Sequence, residues 1–136
     1  MDPEQVRSFL AQHHRAVLVT ERRDGRPQTS PVVCALDQGG RVAISTRETA
    51  AKVKNVRRRA EVSLCVLSDE FFGQWVQVDG TADVVTLPEA MDGLVALYRR
   101  VAGEHPDWDD FRAAMERERR VLLRIQIQRL GPSQSG

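Results

Sequence analysis

A chain of 136 residues with 41% hydrophobic and 29% charged residues carries a formal net charge of +1. That composition suffices for one ordinary core and excludes intrinsic disorder. No apolar run approaches the roughly 20 residues that span a bilayer, and the polar start Met1-Asp2-Pro3-Glu4-Gln5 lacks the pattern of a secretory signal, so the expected compartment is the cytoplasm, with no membrane partner.

In chain order, Asp2-Pro3-Glu4-Gln5 predicts a helix start: an acidic cap, Pro in the first turn and Gln at the reciprocal capping position. Val6, Phe9 and Leu10 give that helix its apolar stripe. A β-rich run, Ala16–Glu21, then meets the turn signal Arg23-Asp24-Gly25-Arg26 and a partner strand, Gln28–Leu36. Asp37-Gln38-Gly39-Gly40 turns into a third strand, Arg41–Thr46. Strands joined by turns this short form an antiparallel meander, with no room for crossover helices. Thr49 is the predicted cap of a helix over Thr49–Arg58, with Val53 and Val56 on one face. Val62–Leu67 alternates as a strand, as do residues 74–85, where Gly80 marks a bulge or barrel bend. Thr86-Leu87-Pro88-Glu89 reads as a capping box opening a helix to about Val101, stopped by Gly103. Asp107–Glu118 is a further helix with an acidic first turn, and Val121–Arg129 is the last strand. The expectation is one α+β domain, residues 1–130, whose strands close into an antiparallel barrel rather than leave edges exposed. Residues 131–136 follow as a flexible polar tail.

Metal chemistry finds no support, because Cys34 and Cys65 have no ligand spacing and His13, His14 and His105 form no cluster. Both thiols are expected to be buried and to act as small hydrophobes. Nucleotide fingerprints, nucleophile elbows and paired catalytic carboxylates are missing, so a bound cofactor would have to supply the reactive atoms. Attention falls on residues 45–55, where a strand ends in Ser45-Thr46 and a helix begins within a few residues. The amides of Ala50, Ala51 and Lys52 would point out of that helix start without intrahelical partners, a ready site for phosphate. Of the chain's 20 basic residues 18 are arginine, and the two lysines, Lys52 and Lys54, both stand in this helix. Residues 47–59 carry six basic groups against one acidic, a local +5. The alternative is a solvated basic face balancing residues 104–118, where six acidic groups stand against two basic ones. Nucleic acid is not an expected partner, since aromatic content is 5% and no basic–aromatic interleaving lies on a strand. Trp75, on the polar side of its strand, is suited to stacking on a flat ring, to a subunit interface, or to packing under the Trp108 helix. Phe71-Phe72 reads equally as a loop hinge, a dimer contact or a pocket wall.

An ordered set of motifs runs through nearly the whole chain. It comprises Ala16-Val17-Leu18-Val19-Thr20, residues 24–32, Ile44-Ser45-Thr46, Ala51-Lys52-Val53-Lys54-Asn55-Val56, Val78-Asp79-Gly80-Thr81-Ala82, Leu97-Tyr98-Arg99, residues 102–111 and Arg119-Arg120-Val121-Leu122-Leu123. In these the chain resembles the pyridoxamine 5′-phosphate oxidase-like superfamily of FMN-binding split β-barrels. It is most similar to the actinobacterial branch that uses the deazaflavin coenzyme F420. The resemblance implies a six-stranded antiparallel split barrel with flanking helices and a homodimer with cofactor at the subunit interface. Ser30, Pro31, Val32 and Val33 would lie along the ring. Ser45 and Thr46 would stand near the ribityl-phosphate arm, Lys52 would hold the phosphate, and Trp75 would reach the cofactor from the second subunit. Ala51 occupies a position where flavin-using relatives often carry Arg. Lys54 and Arg57 extend the scheme as charges for the anionic oligoglutamate tail. The implied function is an F420-dependent oxidoreductase acting on a conjugated small molecule, with no catalytic side chain named. The alternatives are an FMN-dependent oxidase and a non-enzymatic flavin, deazaflavin or haem-pigment binder. Relatives that oxidise pyridoxamine phosphate continue beyond the last strand with a Trp- and Arg-bearing segment, which weighs against that activity for a sequence stopping soon after Arg129.

Overall fold

Alternating burial builds the wall of the molecule. In β1 (Arg15–Glu21) Ala16, Leu18 and Thr20 are buried, and in β4 (Glu61–Leu67) Val62, Leu64 and Val66 are, which is the period-2 signature of strands with one face in a core. The structure, a computed structural model, describes residues 1–135. With β2 (Pro27–Leu36), β3 (Val42–Arg47), β5 (Gln74–Val85) and β6 (Arg120–Ser135), these strands form a closed antiparallel barrel in the order β1-β2-β3-β6-β5-β4. The first three strands make the predicted meander, β4 returns beside β1, and β6 seals the wall between β3 and β5. Closure leaves no free edge to template aggregation.

Two apolar clusters result. One fills the barrel, and helices α1 (Pro3–Gln12) and α2 (Ala51–Arg58) add Val6, Phe9, Leu10, Val53 and Val56 to it. The other lies outside, where α3 (Met91–Ala102) and α4 (Trp108–Arg117) bury Leu94, Leu97 and Phe111 against Ala35, Ala43 and Leu122 of β2, β3 and β6. Small residues at 35 and 43 let the helices approach the sheet closely.

Several boundaries depart from the sequence reading. The residues read as a polar tail continue β6, with Ser133, Gln134 and Ser135 pairing with Val76, Trp75 and Gln74; the unpaired backbone groups at that end of β5 are satisfied this way despite the polar composition. Gly136 lies outside the described residues. Helix α2 starts at Ala51 with Ala50 as its cap and no side-chain capping bond, because Ala50 N–H turns back to Arg47 O at 3.0 Å and displaces Thr49 from the capping position. Helix α3 starts at Met91, after a turn closed by Ala90 N–H to Thr86 O at 2.9 Å and Met91 N–H to Pro88 O at 3.1 Å. Cys34 is buried, and desolvation pushes its thiol up to about 12, beyond useful reactivity. Cys65 is only half-buried, since it stands on the outward face of β4.

Gly80 meets its expectation. The β5–β6 register shifts between Asp79 and Gly80, and a Cβ there would fall inside contact distance of the Gln126 carbonyl oxygen and 2.8 Å from Ile125 Cγ2. Gly80→Ala should therefore destabilise the barrel by about 1–3 kcal/mol through backbone displacement, read as a lowered urea midpoint. An unchanged midpoint would show that the β5–β6 approach is not as close as described.

Candidate functional site

Between the β2–β3 wall and the α3–α4 pair opens a cavity of about 580 Å³. Pro31, Val32 and Val33 of β2, Ser45 and Thr46 of β3, and Lys52 of α2 all line it. Residues separated by up to 21 positions thus meet because β2 and β3 are adjacent strands and α2 follows β3 directly. Ala50 and Ala51 sit at the cap and first residue of α2, beside Lys52. The three predicted phosphate-binding amides are reduced to two as a result. Ala50 N–H is taken by Arg47 O, and Val53 N–H by Ala50 O at 3.1 Å, which leaves Ala51 and Lys52 N–H as the open donors. Ser30 precedes the β2 wall, and its Oγ is buried with no hydrogen-bond partner among the described residues.

Other named residues lie elsewhere. Lys54 is exposed outside the cavity, and Arg57 is engaged by Glu48 at 3.8 Å. Trp75 is half-buried on the outward face of β5, opposite Leu67 and Gln134, and does not line the cavity within one chain. Packing of Trp75 under the Trp108 helix is not what the structure shows. Trp108 instead joins Tyr98, His105 and Phe111, with ring centroids 5.0–5.8 Å apart.

Glu118 and Glu21, from outside the stretch, offset part of the local +5 by engaging Arg47 and Arg59. Glu48 also meets Arg119 at 3.2 Å, Glu118 meets Arg47 at 3.5 Å and Arg120 at 2.8 Å, and Arg59 meets Glu21 at 2.6 Å. The hydrogen bond from Arg120 holds the Glu118 carboxyl below the usual carboxylate range. Lys52 has no ion-pair partner among the described residues, so it remains the cavity's uncompensated cation; Arg120, which also lines the cavity, is tied to Glu118.

Sequence reasoning missed the opposite wall. Leu94, Leu97, Tyr98 and Val101 of α3 and Phe111 and Met115 of α4 line the cavity. Their apolar stripes read as core because a helix face covering a cavity and one covering a sheet share the same period.

A profile of the family described as pyridoxamine 5′-phosphate oxidase matches residues 2–133. The chain belongs to that family. Members hold flavin-type cofactors and include oxidoreductases. Among solved structures, the conserved hypothetical protein Rv2991 from Mycobacterium tuberculosis is 25% identical, with 99% of this chain and 85% of that one covered and a TM-score of 0.80. An F420 reductase is 21% identical, covering 91% and 94%, at a TM-score of 0.72. HutZ, the heme storage protein from Vibrio cholerae, is 18% identical, covering 98% and 96%, at 0.73. The latter two show the shared fold. Among the described residues, no group of His, Cys, Asp or Glu could hold a metal ion, and no helix is long and apolar enough to cross a membrane.

A flavin-type group fits the residues present: the cavity joins a long apolar wall to a cation with no ion-pair partner among the described residues, and two open amides stand at the start of the helix that carries it. Because the Ser30 hydroxyl is buried without a partner, Ser30→Ala should leave the ligand-free protein equally stable or more stable by up to about 1 kcal/mol. Thermal unfolding checks this, and a clear loss of stability would mean that the hydroxyl is satisfied within the chain.

Proposed function

We propose that this family member is an F420-dependent oxidoreductase acting on a conjugated small molecule, working as a homodimer with cofactor at the subunit interface. The observation that carries the reading is one cavity with Lys52 and, at the start of its helix, two open amides on one side and a broad apolar wall on the other. A planar deazaflavin with a ribityl-phosphate arm has the matching division. When bound and reduced, that cofactor supplies a hydride to an electrophilic carbon.

The chain's own part is to bind, orient and shield. Lys52 Nζ and the Ala51 and Lys52 amides would hold the phosphate, a charge-assisted arrangement at a helix N-terminus. Ser45 and Thr46 would flank the arm, and the buried Ser30 hydroxyl and the β2 segment 31–33 would lie along the ring. The α3–α4 face would exclude water from the other side. Lys54, exposed and free of ion pairs among the described residues, would meet the oligoglutamate tail, whereas Arg57 is already bound to Glu48. Ala51 favours F420 over FMN in this reading, since the resemblance places Arg there in flavin-using relatives.

Support for the dimer comes from the barrel's outer face. Val33, Arg15, Leu67 and Trp75 form one cross-strand row over β2, β1, β4 and β5. Val33 at one end lines the cavity. Just before Trp75 at the other end, Phe71 and Phe72 are 77% and 79% exposed, two adjacent large apolar side chains suited to a subunit contact. A two-fold axis through this face would carry one chain's aromatic end toward the other's cavity lip.

Sedimentation with F420, followed by the cofactor's own visible absorbance, tests both parts at once. Pigment should travel with a two-chain species, with a dissociation constant in the micromolar range or below as a rough expectation. Lys52→Ala should weaken binding by about 1–3 kcal/mol. Tight FMN binding beside absent F420 binding would transfer the site to the FMN oxidase reading. A pigment-loaded single chain would contradict the interface.

A further inference from the structure

We propose that the Tyr98 phenol orients an acceptor oxygen of the small molecule in the cavity, so that the site selects conjugated ketones over hydrocarbons of the same shape. The inference rests on the cavity being the ligand site, and not on which cofactor shares it.

Helix α3 faces the cavity with Leu94, Leu97, Tyr98, Val101 and Ala102, the spacing of one helical stripe. Tyr98 stands in the middle of that stripe. Phe111 and Met115, one turn apart on α4, complete this side of the cavity. Across the whole α3–α4 wall, Tyr98 carries the only protic side chain. The hydroxyls and cation of Ser45, Thr46 and Lys52 come from β3 and α2, and Arg120 is bound to Glu118 at 2.8 Å.

The ring is held in place. Its centroid lies 5.0 Å from His105, 5.2 Å from Phe111 and 5.8 Å from Trp108. Trp108 is fixed in turn by an Nε1–H bond to Glu104 at 3.0 Å and by the Arg99 guanidinium 4.6 Å from its ring. His105 is committed as well, since its Nδ1 accepts from Asp107 N–H at 2.9 Å. The Tyr98 hydroxyl makes no hydrogen bond among the described residues, and it is the one polar group of the cluster on a residue that lines the cavity. A ligand that displaces water from the cavity must either offer it an acceptor or leave it desolvated and unpaired, and that asymmetry gives hydroxyl-bearing walls their selectivity.

The test compares two isosteric probes, 2-acetylnaphthalene and 2-isopropenylnaphthalene, by equilibrium dialysis against the wild-type protein and Tyr98→Phe, with no cofactor added. In the variant the ketone should bind about 3- to 10-fold more weakly, the range for one neutral hydrogen bond, while the hydrocarbon's affinity stays the same. The unchanged hydrocarbon affinity also shows that the variant's cavity is intact. Three outcomes would overturn the proposal: an unaltered ratio of the two affinities in Tyr98→Phe, an equal loss for both probes, or no binding of the ketone to the wild-type protein. A failed F420 titration beside a selective loss of ketone binding would remove the cofactor assignment and leave the Tyr98 contact standing.

Discussion

The site depends on how an otherwise unstable helix is pinned. Helix α2 has eight residues and no side-chain cap, too little to hold itself together in water. Its order comes from the barrel beneath it: Val53 and Val56 are buried in the central core, and Asn55 is buried between them in sequence. Asn55 Nδ2 donates to Thr20 Oγ1 at 3.1 Å, Thr20 Oγ1 donates to Gln28 Oε1 at 3.2 Å, and Arg58 Nη2 donates to Asn55 Oδ1 at 3.0 Å. A buried polar chain of this kind works only when each member is satisfied, so it fixes α2 against β1 and β2 in a single position. Lys52 lines the cavity as a consequence, with the open amides at the start of its helix.

The other wall is set by a different constraint. Ala35 and Ala43 let α3 and α4 lie close on the sheet, and Leu94, Leu97 and Phe111 serve both as core side chains there and as cavity lining. Packing the helices and shaping the cavity are therefore one event. The charge pattern follows the same economy. Glu48 and Glu118 occupy the arginines on either side of the β3–α2 junction, so a ligand's anionic group meets one free cation in the cavity rather than a diffuse basic field.

Much of the fold could be read from residue order, because its signals are local. Alternation in residues 62–67 and 74–85, turn chemistry at Asp24-Gly25 and Gly39-Gly40, and the lone Gly80 in a strand each report on their own neighbourhood. What could not be read depends on distant partners. Ser133, Gln134 and Ser135 have poor strand character and are strand only because β5 offers them a ladder. Arg59 looks like part of a basic patch until Glu21, 38 positions earlier, folds beside it. The candidate site divides the same way. Ser45, Thr46 and Lys52 fall at one strand-to-helix junction and are legible as such, whereas Pro31–Val33 are indicated by the family resemblance alone. The wall of α3 and α4 is not legible, since nothing in an apolar stripe says whether it will meet a sheet or an empty space.

The central claim is that the start of α2 receives the anionic arm of a flavin-type cofactor. The amides of Ala51 and Lys52 have no partner among the described residues, so in the ligand-free protein they exchange with solvent freely. Residue-resolved amide exchange by NMR, with and without F420, reads them directly. The account predicts that saturating F420 slows exchange at both amides, and equally fast exchange there with the cofactor bound would contradict it.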